Sequence, residues 1–325
     1  MKFKKNIALL LSLSGLFFAI SAVGQGRDTS FALYSTYIKT KKNYPHISVV
    51  PDSMPRGVKA KRDLTYCTIG DRDLKLDVFY PKRKLKGGYP AVLIVHGGGW
   101  RSGDRSQHIP LAQRLAEKGY VAVTAEYRLS TEARYPAAVT DLKTAIRWIR
   151  ANSSKYRVDT NKIASLGFSA GGQLAALVGT TNGKSHFEGE TACYTDRSSE
   201  VQAIVDLDGT LAFIHPESGE GDDSKKPSAA TLWFGASRTE NPALWHEAAP
   251  LNHVTSTSPP ILFINSSVAR MHAGRDDMIK KLKSFNIYSE VHTFGDAPHV
   301  FPLFNPWFDP TVSFTVDFLD RIFKK

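Results

Sequence analysis

Only two cysteines occur in 325 residues. That excludes a disulfide-dense scaffold and a four-cysteine zinc centre, and neither cysteine has zinc-finger spacing. Long apolar runs are scarce too. The one substantial run, Ile7–Val23, is interrupted by Ser12, Ser14, Gly15 and Ser21 and is short for a membrane span. Acidic residues are outnumbered, with 42 Lys plus Arg against 31 Asp plus Glu, so the formal charge is +11. A basic excess points to nucleic acid, a membrane surface or an acidic substrate, but no nucleic-acid motif is present. There is no internal repeat and no linker that divides the chain. At 42% hydrophobic and 22% charged, it is too hydrophobic for a disordered polymer.

Part of the charge belongs to the N-terminus. Lys2, Lys4 and Lys5 precede the apolar run, and Ala22 and Gly24 supply small residues before a cut after Gly24. Residues 1–24 therefore read as a signal peptide, and the protein as exported, periplasmic or secreted, with no stable membrane insertion after cleavage. Retention as an anchor is the rival reading. No cysteine lies at the cut to carry lipid. Losing three lysines lowers the formal charge from +11 to +8. In an oxidising compartment Cys67 and Cys193 have two readings, a disulfide or two buried small side chains.

Residues 25–62 are polar and basic with scattered proline and read as an extension lying on the domain. From residue 63 onward strands and helices alternate. Leu64–Ile69 and Leu74–Tyr80 have the alternation of a half-buried antiparallel pair. Ala91–Val95, Val121–Ala125, Ile163–Phe168, Val201–Leu207 and Ile261–Ile264 are apolar runs of buried strands. Helices are expected at Ile109–Lys118, Pro136–Ala151, Ala170–Gly179, Asp276–Phe285 and Thr311–Phe323, with a last strand at Ile287–Phe294. This order predicts one α/β domain over 63–325, a mostly parallel sheet with helices on both faces.

Two motifs carry chemistry. Gly167-Phe168-Ser169-Ala170-Gly171 follows a buried strand and opens an Ala/Leu-rich helix, the context a nucleophile elbow requires. A sharp turn lifts the Ser169 hydroxyl above the sheet, and the helix start directs N–H groups and positive dipole at a developing oxyanion. His96-Gly97-Gly98-Gly99-Trp100 directly follows another buried strand. Three consecutive glycines cost backbone entropy, which is reasonable where bare N–H groups line a pocket. Gly98, Gly99 and Ala170 are the expected oxyanion donors, with Trp100 N–H as a substitute.

Together with Ala125-Glu126-Tyr127-Arg128-Leu129 and Tyr135-Pro136, these motifs resemble the α/β-hydrolase esterases. Within them the chain is similar to the carbohydrate-esterase group of feruloyl and acetyl-xylan esterases. Asn241-Pro242-Ala243-Leu244-Trp245 and Ser258-Pro259-Pro260-Ile261-Leu262-Phe263-Ile264 look like that group's approach to its acid-bearing strand. The resemblance implies an α/β-hydrolase fold, ester hydrolysis through a seryl acyl-enzyme, and no metal or organic cofactor.

His299, in Pro298-His299-Val300, lies between the last strand and the last helix, where the family places its base. The acid departs from the family. The expected strand runs into Asn265-Ser266-Ser267-Val268-Ala269-Arg270-Met271, with no carboxylate. Asp276 is the favoured candidate, although it also suits a helix start. Asp208, at the end of the preceding strand beside Asp206, is the alternative, and a Ser–His dyad the third option.

Arg101, Asp104 and Arg105 are candidates for the pocket rim. Arg270 is a candidate ligand for a substrate carboxylate, as on an acidic polysaccharide. Trp100, Trp233, Trp245 and Trp307 suit sugar stacking or core packing, while His108 and His46 are expected to be solvated. The expected substrate is an acetyl, feruloyl or methyl ester on a plant-type polysaccharide. The polar segment Ser218–Ser228 is a short insertion rather than a large apolar lid. The rival functions are a lipase or peptidase on the same fold, and a catalytically inactive carbohydrate- or protein-binding member.

Overall fold

A computed structural model describes residues 31–189 and 193–324. The expected signal peptide, 1–24, lies outside the described residues. In chain order the elements are α1 (Leu33–Lys41), β1 (Ser48–Val49), β2 (Val58–Ile69), β3 (Arg72–Pro81), β4 (Tyr89–Val95), α2 (Ile109–Glu117), β5 (Val121–Ala125), α3 (Ala137–Ala151) and α4 (Ser153–Tyr156). They continue with β6 (Val158–Phe168), α5 (Ala170–Thr180), β7 (Ala203–Leu207), α6 (Ala229–Phe234), α7 (Pro242–Glu247), β8 (Ile261–Asn265), α8 (Arg275–Ser284), β9 (Ser289–Thr293), β10 (Phe304–Asn305) and α9 (Phe308–Phe323).

β2 to β9 form an eight-stranded sheet in the order β2-β3-β5-β4-β6-β7-β8-β9. β3 pairs antiparallel with both β2 and β5, and the remaining neighbours are parallel. This is the mostly parallel sheet that the alternating pattern predicts, arranged as the α/β-hydrolase fold that the resemblance implies. The strand side chains divide between two cores. In β4, Ala91, Leu93 and Val95 face the core under α3 and α5, while Val92 and Ile94 face the core under α2 and α9. Each strand is therefore apolar on both faces, which is why its sequence reads as a continuous run rather than an alternation.

The domain boundary at residue 63 needs correction. β2 begins at Val58, which pairs with Pro81, so the sheet takes in part of the expected extension. Before it, α1 lays Leu33 and Tyr37 against the α2/α9 core, Ile47 and Val50 are buried there, and β1 pairs with β10. Among the described residues no helix is long and apolar enough to cross a membrane.

Candidate active site

Ser169 joins β6 to α5 with φ 58° and ψ −124°, a backbone conformation that non-glycine residues rarely adopt. Its N–H donates to Leu207 O at 2.8 Å, which ties the turn to β7. The flanking glycines are required by close approach. A Cβ on Gly167 would lie 1.9 Å from Gly171 O, and one on Gly171 would lie 2.3 Å from Val95 O.

Opposite the elbow, the loop after β4 folds back on itself. Gly98 and Gly99 take φ of 127° and 59°, open to glycine at little cost. Gly98 O accepts Ser102 N–H at 3.0 Å and Arg101 N–H at 3.1 Å, while Gly97 N–H is engaged by Gln107 Oε1 at 2.9 Å. The loop is anchored beyond the glycines. Arg105 pairs with Asp63 at 2.7 Å, with Asp77 at 3.1 Å, and with Glu126. Asp104 caps the following turn by accepting Ser106 N–H at 2.8 Å. Arg105 and Asp104 therefore brace the loop, where the sequence suggested a pocket rim.

His299 bridges Ser169 and a buried carboxyl group. Its Nε2 is 2.8 Å from Ser169 Oγ and its Nδ1 is 2.9 Å from Asp208 Oδ2. With the proton on Nδ1, Nε2 accepts the Ser169 hydroxyl. The imidazole lies 4.9 Å from the Phe168 ring. Asp208 is fully buried and held by other donors. Ser266 N–H reaches Oδ1 at 2.9 Å, Asn265 Nδ2 reaches it at 3.4 Å, and the Ser266 hydroxyl donates to Oδ2. A carboxylate without water is tolerable only with such partners.

The favoured acid is thus corrected. Asp276 does not meet His299. It lies in the first turn of α8, its side chain 73% exposed and paired with Arg275 Nε at 2.8 Å. That hydrogen bond, helped by the guanidinium charge, holds its carboxyl below the usual range. The reason is topological. β8 stops at Asn265, and the chain makes another turn before α8 starts at Arg275, so Asp276 has moved to the surface. Asp208, the second choice, takes the place beside His299. The residues missed by sequence reasoning are Asn265 and Ser266, which hold it. The signal was available as a run of polar residues closing a buried strand.

Gly98, Gly99, Trp100, Ala170, Ser169, His299 and Arg270 share a cavity of about 320 Å³, with Phe31, Glu220 and Met271 among the other lining residues. The first N–H groups of a helix lack intrahelical acceptors, so the start of α5 and the glycine loop bring backbone donors to the same space as Ser169 Oγ. Trp100 is a second correction. Its ring is buried, stacked on Trp233 at 4.9 Å, and its Nε1–H donates to Gln173 Oε1 at 2.9 Å. Its faces are not available to a sugar. Trp233, Trp245 and Trp307 are buried as well. His108 is also buried rather than solvated, and desolvation pushes its pKa down to about 3.

The BD-FAE family model matches residues 76–289. The chain belongs to the BD-FAE family, a family of esterases. Esterase LipC of Mycobacterium tuberculosis is 33% identical over 200 residues, covering 59% of this chain and 47% of LipC. The chain spans about half the length of the curated relatives it matches. A truncated carbohydrate esterase from gut microbiota superposes with a TM-score of 0.67 at 22% identity, covering 85% of this chain and 99% of that one, a likeness of fold. Thermogutta terrifontis esterase 2, in a form phosphoramylated by tabun, gives 0.66 at 25% identity, covering 83% of this chain and 96% of that one.

Proposed function

We propose that this BD-FAE protein is a serine esterase that works through a seryl acyl-enzyme. The observation that carries the reading is the unbroken chain of contacts from Ser169 Oγ through His299, both of which line the cavity, to the buried Asp208 behind them. Ser169 Oγ attacks the ester carbonyl while His299 Nε2 takes its proton. The N–H groups of Gly98, Gly99 and Ala170 receive the developing oxyanion. His299 returns the proton to the leaving alcohol, and water then releases the acid by the same route. Asp208 fixes the imidazole tautomer and offsets its positive charge. The covalent phosphorus adduct of the Thermogutta neighbour is in keeping with such a nucleophile.

The substrate in this reading is an acyl or methyl ester on a plant-type polysaccharide. The carbohydrate-esterase neighbour supports it. Export is part of the same proposal, supported by the pattern of residues 1–24 and by a disulfide between Cys67 and Cys193. Edman sequencing of secreted protein should begin at Gln25, and a start at Met1 would overturn cleavage. The catalytic reading is tested with an aryl acetate. Ser169→Ala should abolish turnover, and Asp208→Asn should lower kcat by about 10⁴-fold, with thermal unfolding run beside it to exclude misfolding. Asp276→Asn should stay within about twofold of the parent, since exposed ion pairs contribute little. A larger loss in Asp276→Asn than in Asp208→Asn would overturn the acid assignment.

A further inference from the structure

Arg270 stands apart from the other cations near the site. It is the one Arg or Lys among the described residues lining the nucleophile's cavity, and it is exposed. Arg275, a few residues on, is committed to Asp276 at 2.8 Å and to Asn265 Oδ1 at 2.8 Å. Arg105 is committed to Asp63, Asp77 and Glu126. Arg270 has no hydrogen bond or ion pair with any described residue. Glu220 shares the wall, but its Oε2 accepts Ala230 N–H at 3.0 Å. Burial raises the Glu220 pKa and the Arg270 charge opposes that rise, so the two act on each other through space without bonding.

The arginine is also guided. A Cβ built on Gly219 would lie 3.1 Å from Arg270 Cδ and 3.5 Å from Nη1. The stem therefore runs close over a residue with no side chain. A planar guanidinium left unpaired at a reaction cavity matches a carboxylate through two parallel charge-assisted bonds.

We propose that Arg270 forms a subsite for a sugar carboxylate, so that the preferred ester is carried on a glycan containing uronic acid. This rests on the esterase reading for its link to turnover but not for the binding itself. The carboxylate belongs to the glycan rather than to the scissile ester, which leaves the seryl chemistry unaltered.

Two measurements test it separately from the esterase reading. The first titrates Ser169→Ala protein, which cannot turn over, with xylo-oligosaccharides that do or do not carry a glucuronate branch. The branched probe should bind about tenfold more tightly. That preference should shrink as salt is raised, disappear in Ser169→Ala/Arg270→Ala, and survive in part in Ser169→Ala/Arg270→Lys. The second compares kcat/KM of the parent and Arg270→Ala on the acetylated forms of the same pair, where the ratio of branched to unbranched should fall about tenfold. Equal binding of the two probes, or a ratio untouched by Arg270→Ala, overturns the subsite. Failure to hydrolyse any aryl acetate overturns the esterase reading alone, since the titration is read without catalysis.

Discussion

Asp206 and Asp208 lie at the end of the same buried strand, yet their carboxyl groups have different hydrogen-bond partners. Asp208 is met by His299, Ser266 and Asn265. Asp206 lies under the start of α5, where its Oδ1 accepts Gly209 N–H at 2.9 Å and its Oδ2 has no hydrogen-bond partner among the described residues. Burial first, and the Asp208 charge second, push the Asp206 carboxyl well above the usual range. Between the ordinary carboxylate pKa, near about 4, and the raised folded value, the folded chain holds a proton that the unfolded chain has released. Stability is therefore fully present below that ordinary value and falls as pH rises towards the folded pKa. Asparagine copies the shape of the neutral acid without the proton. Asp206→Asn should match the parent in Tm near pH 4 and exceed it increasingly towards pH 8. Thermal unfolding at the two pH values reads this directly, and a Tm difference that does not change with pH would show that Asp206 is not a buried neutral acid.

At the scale of elements, buried strands were the most legible. The expected Val121–Ala125 coincides with β5, and β4, β7, β8 and β9 match to within two residues at each end, because an apolar run between turn residues has few other uses; β6 begins at Val158, five residues before the expected Ile163, because its first part is polar. The elbow and the histidine loop were legible because strand, glycine and helix occur together in the chain. The acid was not. β7 and β8 are neighbours with Leu207 beside Ile264, so the ends of both strands approach the histidine loop, and chain order alone does not choose between them. The N-terminal segment was also opaque. α1 has little amphipathic pattern, and β1 exists only through its pairing with β10. That segment nevertheless brings Phe31 into the cavity wall, 6.4 Å from the Phe168 ring, from outside the region matched by the family. An aromatic wall contact is worth about 1 kcal/mol. Phe31→Ala should thus lower kcat/KM for butyryl esters about fivefold more than for acetyl esters of the same alcohol. A panel of acyl chain lengths checks this, and an equal loss across the panel would assign Phe31 to stability alone.

For the molecule as a whole, the Cys67–Cys193 disulfide joins β2 at one edge of the sheet to the connection between α5 and β7, across a sequence separation of 126. The closed loop contains β3 to β6, α5 and Ser169, so the bond limits the freedom of the unfolded chain over much of the sheet and the Ser169 turn. The chain-entropy account gives about 5 kcal/mol for a loop of this length, and native bonds more commonly contribute about 2–4 kcal/mol. For a domain of this size, each kcal/mol moves Tm by roughly 2–4 °C. Cys67→Ser/Cys193→Ser should therefore unfold roughly 5–10 °C below the parent. Neither cysteine lines the cavity, so turnover of an aryl acetate below the transition should stay within about twofold, because the cross-link acts mainly on the unfolded ensemble. Thermal unfolding of both proteins, with and without dithiothreitol, separates this account from strain in the folded state. Dithiothreitol should lower the Tm of the parent to that of the double variant and leave the variant where it is. A parent that keeps its Tm in reductant, or a double variant that loses activity before it unfolds, would instead place the role of the bond in the geometry of the folded site.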